Sequence, residues 1–230
     1  MGDLLVLWDV DYTLVNADGL GTRMYEAVFK RMFGRELPAV APKAGRTDRA
    51  ILLDTLALSG IDEPRAHVDE FLAALARQSA AADGAAIVSV RAMPGAATAI
   101  AALAGSGARQ SVLTGNVRPL AELKLGLAGL GEHLDLDVGA YGDVHEVRAE
   151  LVTVARQKAR TAYGPDFGGM STVLVGDTSL DVEAALATGA RAVGVATGIF
   201  SAAELATAGA HVVLPDLTDA SLLVSAVTGR

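Results

Sequence analysis

Asp9 and Asp11 stand two residues apart where the first apolar run, Leu4-Leu5-Val6-Leu7-Trp8, gives way to polar residues. At that spacing on an extended segment, both carboxylates can lean toward one side. Two carboxylates in one cleft repel, so either one keeps a proton or a cation joins them. A carboxylate can attack phosphorus and form an aspartyl-phosphate, which splits one hard displacement into two easier ones. A neighbouring carboxyl can protonate the leaving oxygen and then deprotonate the water that clears the intermediate. The same pair serves equally well as turn or capping residues, so its chemistry depends on what it meets.

Two later junctions have the same form. Ser111-Val112-Leu113 runs into Thr114-Gly115-Asn116, a hydroxyl, a flexible backbone and an amide beside a helix start, a setting that suits phosphate. Lys124 follows on that helix and reaches phosphate charge if its face points inward. Val173-Leu174-Val175-Gly176 runs into Asp177, with Asp181 four residues on, a spacing that lets both carboxylates address one point. Hard oxygen donors, in a chain with no cysteine and four histidines, favour Mg2+ over zinc or copper. The competing structural reading has Asp177 or Thr178 capping a helix and Asp181 complementing its dipole. His67, His133, His145 and His211 show no ligand spacing. Met24, Phe29, Met32 and Phe33 recur at helical spacing and read as core.

The elements that position these residues follow from periodicity. Gln110–Leu113, a short Leu134–Val138, Thr172–Val175, Arg191–Val195 and His211–Leu214 read as strands. Helices are expected over Arg118–Leu127, Arg148–Tyr163 and Leu180–Ala187, from near Ser201, and from about Asp219. Strands alternating with helices predict an α/β fold with a parallel sheet covered on both faces. Carboxyl ends of such strands share one edge, where ligands bind, so the three polar junctions are predicted to meet. From Asn16 to about Val88 the rhythm breaks into helices alone: Thr22–Phe33, Asp48–Leu58 and Pro64–Ala82. Asp48 is a candidate cap for its helix, and Pro64 suits a first helical position. Turn-like residues at Asn16-Ala17-Asp18-Gly19 and at 91–95 bound this insert as candidate hinges, and Pro94-Gly95 reads as structural. The division is a core of residues 1–15 and 90–230 with a helical cap domain of residues 16–89.

Composition fits an enzyme of this kind. The chain has 230 residues, 51% hydrophobic and 4% aromatic, so an aliphatic core is expected. No apolar stretch reaches the roughly 20 residues that cross a bilayer, and the first run lacks a basic leader. The absence of cysteine excludes disulfides and thiolate chemistry and fits a cytoplasmic location. A net charge of −8 argues against nucleic acid or an anionic membrane as partner. A small phosphorylated metabolite is the expected partner of a monomer or homodimer, because a local cation can reverse the field of an acidic protein.

With these residues in place, the chain resembles the haloacid dehalogenase-like (HAD) superfamily, and within it the phosphoglycolate phosphatase-like branch with a helical cap of the C1 type. The resemblance spans essentially the whole chain and implies a Rossmann-like core with the cap inserted after the first strand. It implies Asp9 as nucleophile and Asp11 as general acid/base, with the Asp11 backbone carbonyl also on Mg2+. Thr114, with Gly115 and Asn116, would bind the transferring phosphoryl group. Asp177 would ligate Mg2+, with Asp181 a second ligand, direct or through water. The third motif departs from the family. Many relatives carry a Lys-Pro pair there, whereas residues 142–150 contain no lysine. Lys124 is favoured for that charge because a compact ammonium suits it, and Arg148 stays open as a substitute that is not equivalent. In capped relatives the cap loop chooses the leaving group, and Gly45-Arg46-Thr47-Asp48 is the candidate here, with Arg46 as the substrate-binding cation.

The expected activity is a Mg2+-dependent phosphatase that hydrolyses a small phosphomonoester through an aspartyl-phosphate. Asp11 weighs against carbon–halogen displacement, which needs neither leaving-group protonation nor a metal. A phosphomutase of the same fold is the nearest rival, and Tyr12-Thr13 is a modest point for hydrolysis. A non-catalytic phospho-binding or regulatory protein is the alternative from another class.

Overall fold

The computed structural model describes residues 4–82, 89–164 and 166–229. In chain order its strands are β1 (Leu5–Trp8), β2 (Val15–Asn16), β3 (Arg91–Ala92), β4 (Arg109–Thr114), β5 (Ala140–Tyr141), β6 (Thr172–Gly176), β7 (Arg191–Val195) and β8 (Val212–Leu214). Its helices are α1 (Leu20–Phe33), α2 (Asp48–Leu58), α3 (Pro64–Ala80), α4 (Ala96–Gly105), α5 (Arg118–Leu127), α6 (Arg148–Tyr163), α7 (Ser179–Ala187), α8 (Ala202–Thr207) and α9 (Ala220–Thr228).

β1 is apolar throughout and fully buried, as a strand covered on both faces must be. It lies inside a parallel six-stranded sheet of order β5-β4-β1-β6-β7-β8, the α/β architecture expected of the sequence. Side chains alternate between faces with period two. Val6 and Trp8 join one apolar cluster with α4, α9 and the helices of the insert, while Leu5 and Leu7 join another with α6 and α7. Trp8 is fully buried yet satisfied, because its Nε1 donates to Gln110 Oε1 at 3.0 Å.

Register sets the site. Trp8 is level with Val112 on β4 and Val175 on β6, so the three chains leave the sheet side by side. Asp9, Thr114 and Asp177 therefore share one edge of the sheet, at its centre. The strands that carry them, β4, β1 and β6, are neighbours in space although widely separated in sequence.

The insert is helical. α3 packs against α1 and α2 and also against α5 of the sheet-bearing part. Residues 83–88, the last stretch expected in the insert, lie outside the described residues. Its two connections are not free turns. β2 and β3 pair antiparallel, with Val15 opposite Ala92 and Asn16 opposite Arg91, so the connections brace each other as a short ribbon.

Two expectations need correction. Leu134–Val138 is not a strand; the edge strand is Ala140–Tyr141. Residues 135–138 instead form a turn in which Val138 N donates to Asp135 O, and an apolar run that short cannot be told from a buried loop by periodicity. Nor does Asp48 cap α2. Thr47 is the N-cap and accepts from Ala50 N, while Asp48 occupies the first helical position and turns inward.

Candidate active site

At the end of β1 the backbone is held by Asp9 N donating to Val175 O at 2.8 Å. The chain then folds into a tight turn in which Leu14 N and Val15 N both donate to Val10 O. Tyr12 takes the left-handed conformation there, φ 61°, a position that ordinarily favours glycine. Its carbonyl accepts from Thr197 Oγ1 at 2.6 Å, which ties the turn to the loop after β7.

Asp9 and Asp11 diverge into different surroundings. Asp9 turns toward Asp177 and Asp181, and an oxygen from each of the three lies within 4.8 Å of the others. Arg148, 6% exposed, bridges two of them: its Nη2 donates to Asp9 Oδ1 at 2.6 Å and its Nε to Asp181 Oδ1 at 2.9 Å. Asp11 is held instead by Lys124, 3% exposed, whose Nζ lies 2.7 Å from both carboxylate oxygens. Asn116 Nδ2 donates to Asp11 Oδ2 at 2.7 Å and to Thr114 Oγ1 at 2.8 Å, and Asn116 Oδ1 accepts from Lys124 at 2.8 Å.

The electrostatics follow that division. Burial pushes the Asp9 carboxyl up, Asp181 adds to the rise, and Arg148 offsets part of it. Asp177 is pushed up by burial and then by Asp9 and Asp181. Burial would raise Asp11 too, but the Lys124 charge and the hydrogen bonds from Asn116 and Lys124 outweigh it and hold Asp11 below the usual carboxylate range. Burial opposes the Arg148 charge, and Asp181 and Asp9 overcome that opposition.

Three buried carboxylates and one guanidinium leave the Asp9–Asp177–Asp181 cluster short of positive charge. Hard oxygen donors that converge in this way fit a divalent cation of the Mg2+ type. Asp177 is further placed by Thr13 Oγ1, which donates to its Oδ1 at 3.3 Å, and by Gly198, where any Cβ would overlap Asp177 Oδ2. Asp181 also completes a capping box at the start of α7, accepting from Thr178 N at 3.1 Å and from Thr178 Oγ1 at 2.7 Å. Thr178 thus caps α7, one of the two readings open in the sequence, and Asp181 closes that capping box while standing beside Asp9 and Asp177.

A cavity of about 390 Å3 opens above these residues, with Asp9, Asp11, Thr114, Lys124 and Arg148 on its floor. Its opposite wall comes from the insert, with Leu20 and Gly21 of α1 and residues 42–46 of the loop before α2. Arg46 lines this cavity, but its guanidinium is bound to Pro42 O, Ala50 O and Asp54 Oδ2 within the insert. The structure brings together Asp9, Asp11, Thr114, Gly115, Asn116, Lys124, Arg148, Asp177 and Asp181; it leaves the Arg46 charge spent elsewhere.

Sequence reasoning gave no place at this cluster to Thr13, Gly198 or Lys43. Thr13 and Gly198 place Asp177, and Gly198 carried a readable signal, a Thr-Gly pair directly after the run Val193–Ala196. Lys43 lines the cavity, its ammonium beside Thr22 Oγ1, and among the described residues it pairs with no carboxylate. In sequence, Asp48 reads as a helix start and as the last residue of the candidate cap loop 45–48, with no sign of its contacts with the sheet-bearing part. It is buried, accepts from Tyr25 Oη at 2.6 Å and from Val117 N at 2.8 Å, and burial pushes its carboxyl up to about 6.

Known structures share this architecture. A predicted phosphatase from Clostridium acetobutylicum superposes with a TM-score of 0.68 at 17% identity, covering 97% of this chain and 99% of its own. A candidate beta-phosphoglucomutase from Bacteroides vulgatus gives 0.65 at 18% identity, over 99% and 90%. CbbY from Rhodobacter sphaeroides, solved in complex with phosphate, gives 0.63 at 19% identity, over 94% and 95%. No curated protein matches the chain by sequence. The model of the haloacid dehalogenase-like hydrolases matches residues 6–186, a span that holds the sheet edge, the helical insert and every carboxylate of the cluster. The chain belongs to the haloacid dehalogenase-like hydrolase family.

Proposed function

We propose that this protein is a Mg2+-dependent phosphatase that hydrolyses a small phosphomonoester through an aspartyl-phosphate on Asp9, within the phosphoglycolate phosphatase-like branch. The observation that carries the reading is the parting of Asp9 and Asp11 into two settings. Asp9 joins Asp177 and Asp181, whose oxygens converge as hard-metal donors, while Asp11 is gripped by Lys124 and Asn116 beside Thr114, so one carboxylate is placed with the candidate metal ligands and the other apart from them.

Asp9, Asp177 and Asp181 would hold Mg2+, which neutralises phosphoryl oxygens and keeps the nucleophile ionised. Asp9 Oδ1 is engaged by Arg148, so the guanidinium would orient the carboxylate and leave its other oxygen for attack. Thr114 Oγ1 and the backbone of the turn that follows face the cavity and would receive the phosphoryl group. Asp11, held ionised by Lys124, is set as the base for the water that clears the intermediate. For the first step it must carry a proton, and a phosphate dianion bound alongside favours that proton. Lys124 and Arg148 would thus divide the third-motif charge, one on the acid/base and one on the nucleophile. The insert would act as the cap of residues 16–89, excluding bulk water above the site.

The phosphomutase reading is kept by one observation, the likeness to a candidate beta-phosphoglucomutase over nearly the whole chain. A cytoplasmic location is supported by the absence of cysteine and by the lack, among the described residues, of a helix long and apolar enough to cross a membrane.

The test is phosphate release from a panel of small phosphomonoesters, with Mg2+ or EDTA, for the native chain and for Asp9→Asn. Release is expected to need both Mg2+ and Asp9. Release that persists in Asp9→Asn or in EDTA would remove this mechanism, and a mutase would show isomerised sugar phosphate in place of free phosphate.

A further inference from the structure

The first turn of α2 is wedged between two loops of the sheet-bearing part. Its free N–H groups, which no helix can satisfy internally, are taken by those loops. Asp48 N donates to Gly115 O at 2.6 Å and Arg49 N to Gly142 O at 3.0 Å. Thr47 Oγ1 donates to Glu146 O at 3.0 Å, and Arg49 Nε to Asp143 O at 2.9 Å. The fit leaves no room: a Cβ at Gly115 would overlap Arg46 O, and one at Gly142 would overlap Gly115 O.

Asp48 makes contact on both sides of one residue. Its backbone N–H binds the carbonyl of residue 115, and its Oδ2 accepts from the N–H of residue 117. The residue bracketed is Asn116, whose amide orients Asp11 and Thr114 and accepts from Lys124. The far oxygen of Asp48 is fixed by Tyr25 of α1, another residue of the insert. Hydrogen bonds from the insert thus clamp the backbone on both sides of Asn116, and the Asn116 side chain carries on to the acid/base carboxylate.

We propose that Asp48 is a positioning residue that makes the alignment of Asp11 conditional on the helical insert being seated over the site. The inference rests on the phosphatase reading for its chemistry. When the insert is seated, Asp48 fixes the turn at residues 115–117 and Asn116 holds Asp11 against Lys124. When it lifts, the bracket is lost and the acid/base is no longer aligned, so proton transfer waits for enclosure of the substrate.

Leaving-group dependence tests this. Ethyl phosphate needs its leaving oxygen protonated, whereas p-nitrophenyl phosphate does not. In Asp48→Ala the turnover of ethyl phosphate is expected to fall about 10- to 100-fold further than that of p-nitrophenyl phosphate, a partial loss of the roughly 100- to 10,000-fold that acid catalysis supplies. Asp48→Asn, which retains an acceptor for Val117 N, is expected to restore most of the ratio. Equal losses on both esters, or no loss on either, would overturn the proposal. Amide hydrogen exchange gives an independent arm. Protection across residues 115–117 is expected to drop in Asp48→Ala and to persist in Asp48→Asn; unchanged protection in Asp48→Ala also overturns it. A native protein that turns over neither ester would sink the phosphatase reading, and the exchange result would then decide whether the bracket exists.

Discussion

At Asp177 the proposed metal-binding role and stability oppose each other. It is buried beside Asp9 and Asp181, with Thr13 as its hydrogen-bond donor, and its charge is disfavoured by burial and by those two neighbours. Replacing Asp177 by Asn removes repulsion while preserving shape. Without metal, Asp177→Asn is expected to be more stable than the native chain by about 1 kcal/mol, as is common when a strained functional charge is neutralised. Mg2+ is expected to raise the melting temperature of the native chain and to leave the variant unmoved, because only a state that binds ligand gains from it. Thermal unfolding with and without Mg2+ checks both; a native chain indifferent to Mg2+ would count against the metal site. The acids of this site were legible in the sequence because each follows an apolar run, and an apolar run that stops in polar residues marks a strand end. Thr13 and Lys43 were not, since a hydroxyl in a turn and a lysine in a loop carry no periodic signal. Arg46 was legible as a cation but not as one already bound to Asp54.

At the scale of elements, pattern and structure agree where the pattern is long. α5 and α6 run over the residues expected, because their apolar spacing persists for several turns. Short elements escaped for the opposite reason: two-residue β2, β3 and β5 are set by tertiary pairing, and no local period identifies them. The seating of α2 on the sheet edge belongs to this class as well. It depends on Gly115 and Gly142, which look in sequence like ordinary turn glycines. Gly142→Ala places a Cβ against Gly115 O and 2.8 Å from Asp48 N, so the contact between insert and core must open. The variant is expected to fold, with a larger radius of gyration by small-angle scattering and a turnover number reduced about 10-fold or more, the scale of loss that follows from misplacing catalytic groups by an ångström. An unchanged radius together with native turnover would show that the seating has no part in catalysis.

Across the whole molecule, the charge distribution indicates how substrate is met. A chain of net charge −8 gathers Lys43, Lys124 and Arg148 around one cavity, but Asp9, Asp11, Asp48 and Asp177 line it too, so the acidic field is not reversed there and each cation acts locally. Lys124 and Arg148 are committed to Asp11 and to Asp9 and Asp181, and Arg46 is committed to Asp54. Lys43, on the wall contributed by the insert, is the cation still available to the leaving-group side of a substrate among the described residues that line the cavity. Lys43→Gln is therefore expected to raise KM about 10-fold, the value of one charge-assisted hydrogen bond, with a smaller effect on kcat. Steady-state kinetics over the ester panel checks it, and a fall in kcat at constant KM would assign Lys43 to the chemical step instead.

The central claim is that Asp9 becomes phosphorylated. The direct measurement is rapid quench of the native chain during turnover, borohydride reduction of any acyl phosphate, and peptide mass spectrometry. Reduction to homoserine at position 9 is expected only when substrate and Mg2+ are present, with none in Asp9→Asn. Steady turnover with position 9 never modified, or modification at another carboxylate, would contradict it.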